Sequence, residues 1–239
     1  MVDSLEPLLV LQEHDVALDR LRHRHATLPE RAVVAAVERE LGELDAQLSE
    51  LEAPLAELAR TQQRYEDEAQ SLSEQAHGAH ERLYSGAVTS PRELQALQAD
   101  VDQLRRHQAM VEERALAVME EREPLDVQVT ELRAGRATRS AELDTARAAL
   151  AAAAAQVEAE IAAEQAVRDA STEGIDAPVL ALYERCRASS ATRVGAARLV
   201  GHTCQGCHLT IPATEVDALR KAAPGTIAHC DNCGAILVP

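Results

Sequence analysis

From Val34 to Leu83 the chain repeats apolar or small residues, with Gln62 the polar exception, at alternating spacings of three and four without a break. The run reads Val34, Val37, Leu41, Leu44, Leu48, Leu51, Leu55, Leu58, Gln62, Tyr65, Ala69, Leu72, Ala76, Ala79, Leu83. Seven heptads of this kind place one narrow stripe along a helix, and such a stripe is stable only against a second helix with a matching one. That partner follows in the same chain. From Leu94 the same spacing runs through Leu97, Val101, Leu104, Val111, Ala115, Val118, Leu125, Val129, Leu132 and Leu143 to Val157. Arg122, Arg136 and Arg139 also fall on this stripe, where their stems can pack while the guanidinium groups reach out to acids or water. Between the two runs lies Tyr84-Ser-Gly-Ala-Val-Thr-Ser-Pro91. Gly86 can stop a helix, and Ser90-Pro91-Arg92-Glu93 has the form of a capping box with proline at the first helical position. Residues 84–90 therefore read as a hairpin turn.

An earlier stripe, Leu11, Val16, Leu18, Leu21, His25 and Leu28, ends at Pro29, which can open the next helix. His25 reads as a seam residue with its nitrogens reaching water. Pro54 sits just off the stripe of the second helix and should kink it. A third helix from residue 91 to about 168 would run about 117 Å at 1.5 Å per residue, enough to lie antiparallel along both earlier segments. The spacing alone suggests facing residues whose numbers total 173, with Leu48 opposite Leu125, Leu41 opposite Leu132 and Ala76 opposite Leu97. Composition agrees with rods rather than a globule. The chain has no Phe or Trp and only three Tyr, and Ala, Leu, Glu and Arg dominate. All but one of the 24 basic residues are Arg, a codon usage expected of a GC-rich bacterial genome.

The remaining chemistry lies at the C-terminus. Cys204-Gln-Gly-Cys207 and Cys230-Asp-Asn-Cys233 are two C-x2-C knuckles at the separation of a zinc ribbon. Four thiolates from Cys204, Cys207, Cys230 and Cys233 fill a tetrahedral site for one structural Zn²⁺ and leave no open position for a reacting water. Gly206 in the first knuckle and Gly234 after the second are read as relieving the turns. A short helix through Thr214, Glu215, Val216, Ala218 and Leu219, closed by Pro224-Gly225, takes up the long spacer. Strands are expected at 194–200, 226–229 and 235–238. His202, His208 and His229 flank the knuckles as bystanders, and Cys186 is a small residue on a short helix from Pro178 to about Ala188. Two disulfides would need an oxidising compartment, and the start of the chain lacks the charged region of a signal peptide. No apolar run reaches the length of a membrane span. A cytoplasmic location is the expectation.

These readings give a mainly α fold: an antiparallel coiled-coil hairpin over 1–170 with its tip at 84–90, a linker and short helix over 171–190, and a C4 zinc ribbon over 191–239. Three stretches resemble the bacterial C4-type zinc-ribbon protein family with a long N-terminal coiled-coil hairpin. They are Leu8-Leu9-Val10-Leu11-Gln12 with Asp15, the tip Tyr84-Ser-Gly-Ala-Val-Thr-Ser-Pro-Arg-Glu-Leu-Gln-Ala-Leu-Gln98, and the ribbon Cys204-Gln-Gly-Cys-His-Leu-Thr-Ile-Pro212 with Cys230-Asp-Asn-Cys-Gly-Ala-Ile-Leu237. The resemblance implies the same four cysteine ligands. Some members of that family look like regulators or chaperone-like adaptors linked to flagellar or type III secretion systems and to sigma-54-class factors. The family's ribbon often carries a basic residue where this chain has Ala235.

Charge separates the candidate functions. Residues 191–239 carry a net +1, which four thiolates and one Zn²⁺ bring to −1, and residues 1–190 carry −17. Neither offers the basic face that phosphate binding requires. The expectation is a non-enzymatic adaptor with protein partners, no membrane and no small-molecule substrate. The alternative is a nucleic-acid-binding regulator that uses Arg193, Arg198, Arg220 and Lys221 of the ribbon. A hydrolase would need an open metal position and a nearby base.

Overall fold

The computed structural model describes residues 5–223 and 226–239. The elements are α1 (Glu6–Ala26), α2 (Glu30–Tyr84), α3 (Pro91–Ser171), α4 (Ala177–Ser189), β1 (Ala196–Val200), β2 (Thr203–Cys204), α5 (Ala213–Lys221), β3 (Ala228–His229) and β4 (Ile236–Val238). Contacts divide the chain into two units, Met1–Ala32 with Ala148–Pro239, and Val33–Arg147. The expected closure of α5 at Pro224-Gly225 lies outside the described residues.

In the unit Val33–Arg147, α2 and α3 pair antiparallel along the expected stripe. Leu48, Ala69, Leu72 and Ala76 are buried on α2, and Val101, Val111, Ala115, Val129 and Leu143 on α3. Every one of them is a stripe position. The seam arginines behave as their chemistry requires. Arg136 Nε donates to Asp45 Oδ1 at 2.5 Å, Arg139 Nε lies 3.0 Å from Glu40 Oε2, and Arg122 Nη1 donates to Gln62 Oε1 at 3.1 Å. At Arg136 the hydrogen bond to Asp45 and its charge raise the guanidinium pKa further.

The register differs from the expected one. Ala69 packs with Val111, and Asp45 meets Arg136, so facing numbers total about 180 and not 173. The shift is one heptad. A seven-residue repeat leaves such registers equivalent for apolar contact, so other groups must select one. The expected register would set Arg136 opposite Val37, Arg139 opposite Val34 and Arg122 opposite Leu51. The observed one brings them to Asp45, Glu40 and Gln62. It also sets Pro54 and Pro124 at nearly the same level. Both prolines lie inside continuous helices at exposed positions. Each removes a backbone hydrogen bond, and at an exposed position water can serve the carbonyl left behind. At the tip, α2 stops at Tyr84, Gly86 takes a φ of 73°, and the Leu94 N–H donates to the Ser90 carbonyl at 3.0 Å, with Pro91 as the first residue of α3.

The other unit is organised by a four-stranded sheet of order β2-β1-β4-β3, with β1 parallel to β4 and the outer pairs antiparallel. Alternate residues of β1 and β4 point to opposite faces. Ala196, Ile236 and Val238 pack with Leu8 and Leu11 of α1 and with Val179, Tyr183 and Cys186 of α4. Ala197, Leu199 and Leu237 pack with Ile211 and Val216 on the knuckle side. The sequence reading assigned α1 to the arm and α4 to a linker. In the structure both cover one face of the ribbon sheet. Such a sheet has two apolar faces and the ribbon supplies cover for one. Burying Leu8 and Leu11 contributes about 1.5–3 kcal/mol each. α1 also runs antiparallel to the end of α3, through His14 to Glu164 at 2.7 Å, His25 to Glu158 at 3.2 Å, and the Arg24–Glu160 pair.

A buried polar cluster joins these elements. Asp15 of α1 is 2 % exposed. Its Oδ2 accepts from the Tyr183 hydroxyl at 2.6 Å and its Oδ1 from Arg168 Nε at 3.2 Å. Arg187 lies 3.6 Å from Asp15 and donates to Asp19 at 2.7 Å, and Arg168 also pairs with Glu184. Gln12 Oε1 accepts the Gly195 N–H at 2.6 Å. Burial, reinforced by the bond to Asp15, pushes the Tyr183 hydroxyl pKa far up, so the group stays a donor. Gly195 admits no side chain, since a Cβ there would sit 2.6 Å from Tyr183 Cε2.

Two expectations follow. Asp15→Ala leaves Arg168 and Arg187 without their buried counter-charge and should cost about 3–5 kcal/mol, read as a lower urea midpoint. In the arm, Asp45→Cys with Arg136→Cys should form a disulfide under mild oxidation, while Leu48→Cys with Leu125→Cys should not. The reverse pattern would restore the register that totals 173.

Candidate metal centre

The metal site is built by two turns that resemble each other in backbone. In the first, Cys204 ends β2, and the His208 N–H donates to the Cys204 carbonyl at 2.8 Å. In the second, the Gly234 N–H donates to the Cys230 carbonyl at 2.7 Å. In both, the residue after the second cysteine is left-handed, with φ of 60° at His208 and 75° at Gly234. The relief expected at Gly206 thus falls at His208 instead. Gly206 is small because of packing: a Cβ there would lie 3.0 Å from both the Ala197 Cβ and the Val194 Cγ1. A non-glycine residue in the left-handed region costs about 1–2 kcal/mol, so the first turn is the more strained.

These turns bring four sulfurs together. The Sγ atoms of Cys204, Cys207, Cys230 and Cys233 all lie within 4.8 Å of one another. Cys204 and Cys233 are 3.9 Å apart, and Cys207 and Cys230 are 3.8 Å apart. A tetrahedral zinc with bonds of about 2.3 Å requires sulfur–sulfur edges of about 3.8 Å. The donor set and its spacing therefore fit one structural zinc, which when bound supplies a crosslink between the two turns. Cys204 and Cys230 are buried and Cys207 and Cys233 half-buried. Burial pushes the thiols of Cys204 and Cys233 up, Cys233 to about 12, against the pull of backbone amides such as those of Gly206 and Cys207 on Cys204. At Cys230 burial opposes ionisation, but the amides of Cys233 and Asn232 and the thiols of Cys233 and Cys207 together outweigh it, and the thiol is lowered.

Other candidates from the sequence fall outside the cluster. His202, His208 and His229 do not belong to it. Cys186 is buried in the core between α4 and the sheet, with its Sγ 3.7 Å from His229 Nδ1. Burial raises its thiol pKa, which makes it a poor nucleophile. Sequence reasoning missed the partners of Asp15. Tyr183 was legible as part of the apolar set Val179, Leu182, Tyr183 and Cys186 of its helix, but nothing in the local pattern paired it, Arg168 or Arg187 with Asp15 of the N-terminal stretch.

Zinc should be present at one atom per chain by elemental analysis. Because raised thiols must lose protons to bind metal, apparent zinc affinity should fall steeply from about pH 8 to about pH 6. Cys207→Ser should abolish stoichiometric zinc and expose the backbone amides of 203–237 to hydrogen exchange, while the helices of the arm keep their circular dichroism. Zinc-free protein with a protected ribbon would contradict the assignment.

Two family models match the chain: the CT398-like coiled coil hairpin domain over residues 11–191 and the C4-type zinc ribbon domain over residues 203–237. The uncharacterized protein Rv2229c of Mycobacterium tuberculosis is 35% identical over 232 residues, covering 97% of this chain and 93% of its own. A solved structure from Mycobacterium smegmatis is 30% identical, with a TM-score of 0.86 and coverage of 100% and 99%. The structure of CT398 from Chlamydia trachomatis shares the fold at 18% identity, with a TM-score of 0.71 and coverage of 99% and 97%. With its paired heptad helices, its four converging thiols and these matches, the chain belongs to the CT398-like coiled-coil hairpin family and carries a C4-type zinc ribbon.

Proposed function

We propose that the protein is a non-enzymatic adaptor that presents an acidic helical arm and a zinc-crosslinked ribbon to protein partners. The observation that carries this reading is how the ribbon's cations are used. Of the four basic residues that could serve nucleic acid, Arg198 pairs with Glu6 at 2.7 Å and Arg193 lies 3.4 Å from Asp19. Arg220 donates to the Gly201 carbonyl at 3.3 Å. The patch is thus partly neutralised by α1, and too few free charges remain to hold a phosphate backbone. A closed centre of four thiolates offers no position for a reacting water, which supports the absence of catalysis.

The tip adds a candidate contact. Tyr84 is 71 % exposed, and its ring leans tilted against His80, with centroids 4.7 Å apart. Val88 is half-buried. An exposed aromatic residue at a helix end beside a connecting loop is a common recognition device.

Nucleic-acid binding should be weak and lost in moderate salt. In native host extract, recovery of protein partners should fall when Tyr84 and Val88 are changed to Ser with helicity unchanged. Salt-resistant, sequence-specific binding of RNA or DNA by the full chain would favour the nucleic-acid regulator instead.

A further inference from the structure

The coiled-coil seam does not use all the apolar residues of α3. Leu116, Met119 and Val127 are 58 %, 46 % and 52 % exposed, although each is large enough to be buried. At 100° per residue they fall within about 80° of α3, centred about 110° round the helix from the seam residues Val111, Ala115 and Val129, with Met119 bordering Ala115. They line a groove of about 720 Å³ that reaches Gln62 of α2. An apolar stripe on an exposed helix face is the docking surface for another amphipathic helix.

The rim says which kind. Glu120, Glu123 and Glu131 line the same groove and are exposed. Among the described residues none of the three has an ion-pair partner. The one cation of the groove, Arg122, is already held by Asp126 at 2.9 Å and Gln62 at 3.1 Å. Uncompensated carboxylates are therefore interleaved with the uncovered apolar side chains, Glu123 within their stripe and Glu120 and Glu131 along one edge. A second copy of this chain would bring the same carboxylates against them, on a molecule of net charge −16. An occupant with basic residues flanking an apolar stripe removes both costs at once. The groove runs from Leu116 to Glu131, about 22 Å of helix, so the occupant needs about four turns.

We propose that the face of α3 formed by Leu116, Met119 and Val127 docks a basic amphipathic helix of a partner protein. The surface lies away from the tip loop in sequence. It rests on the adaptor reading only in taking the ligand to be protein, so its failure would leave the tip test standing.

The test uses the full zinc-loaded chain and a fluorescein-labelled Leu/Lys amphipathic peptide of about five turns, with anisotropy as the readout. A scrambled peptide of the same composition and a Leu/Glu peptide of the same pattern serve as controls. The Leu/Lys peptide should bind at least about tenfold more tightly than either control, and Leu116→Ser with Met119→Ser and Val127→Ser should weaken it about tenfold. Glu120→Gln with Glu123→Gln and Glu131→Gln, all at exposed positions, should weaken it independently, while Val33→Ser on the exposed side of α2 should not. Equal binding of the scrambled peptide would mean adhesion by charge alone and would overturn the proposal, as would retained affinity in both triple variants. A dimer in sedimentation that the apolar triple variant converts to monomer would assign the face to self-association and overturn it as well.

Discussion

The buried carboxylate of Asp15 is the interaction on which the sheet-bearing unit depends. It lies on α1 and is met by Tyr183 of α4 and Arg168 of α3, with Arg187 close by. A charge removed from water costs several kcal/mol unless paired and hydrogen-bonded, and here those partners come from two elements other than its own, α3 and α4. The cluster can therefore be satisfied only when α1, the end of α3 and α4 are all in place. Gln12, one turn earlier on α1, extends it to the backbone of Gly195 at the entrance to β1. The ribbon sheet is thereby anchored from the side opposite the metal.

Zinc and helix cover thus divide the work of holding the ribbon. The knuckle side has a small core of Ala197, Leu199, Ile211, Val216 and Leu237 around the ligands. That is little apolar area for a free-standing domain, and a metal crosslink offsets the shortfall. The other face is a sheet surface of Ala196, Ile236 and Val238, which α1 and α4 keep from water. The same packing draws the carboxylates of Glu6 and Asp19 to Arg198 and Arg193.

The arm illustrates a different limit. Its seam was legible residue by residue, because burial at every seventh and intervening fourth position is a local consequence of helix geometry. All the buried residues of α2 and of α3 in that unit lie where the spacing put them. The register was not legible, because a heptad repeat is unchanged by a shift of seven. What selects among equivalent registers is a set of side chains outside the repeat, among them Asp45 and Glu40, together with the polar seam residue Gln62. Their relevance appears only once their partners across the seam are known. Likewise the spacing set Ala76 against Leu97, and the structure moves the pairing by one heptad toward Leu104.

The sequence by itself determined the long helices, the hairpin turn at 84–90, and the four zinc ligands. Each of these is written in short-range spacing: three and four residues for the helix stripe, two between cysteines for each knuckle. Tertiary structure decided the register of the arm, the burial of Asp15 with two arginines, and the assignment of α1 to the ribbon sheet. These depend on pairs up to about 180 residues apart in the chain, such as Gln12 with Gly195. No local pattern encodes such a pair, because the free energy of burying a charge or covering a sheet face is settled by whichever distant groups the fold brings to it.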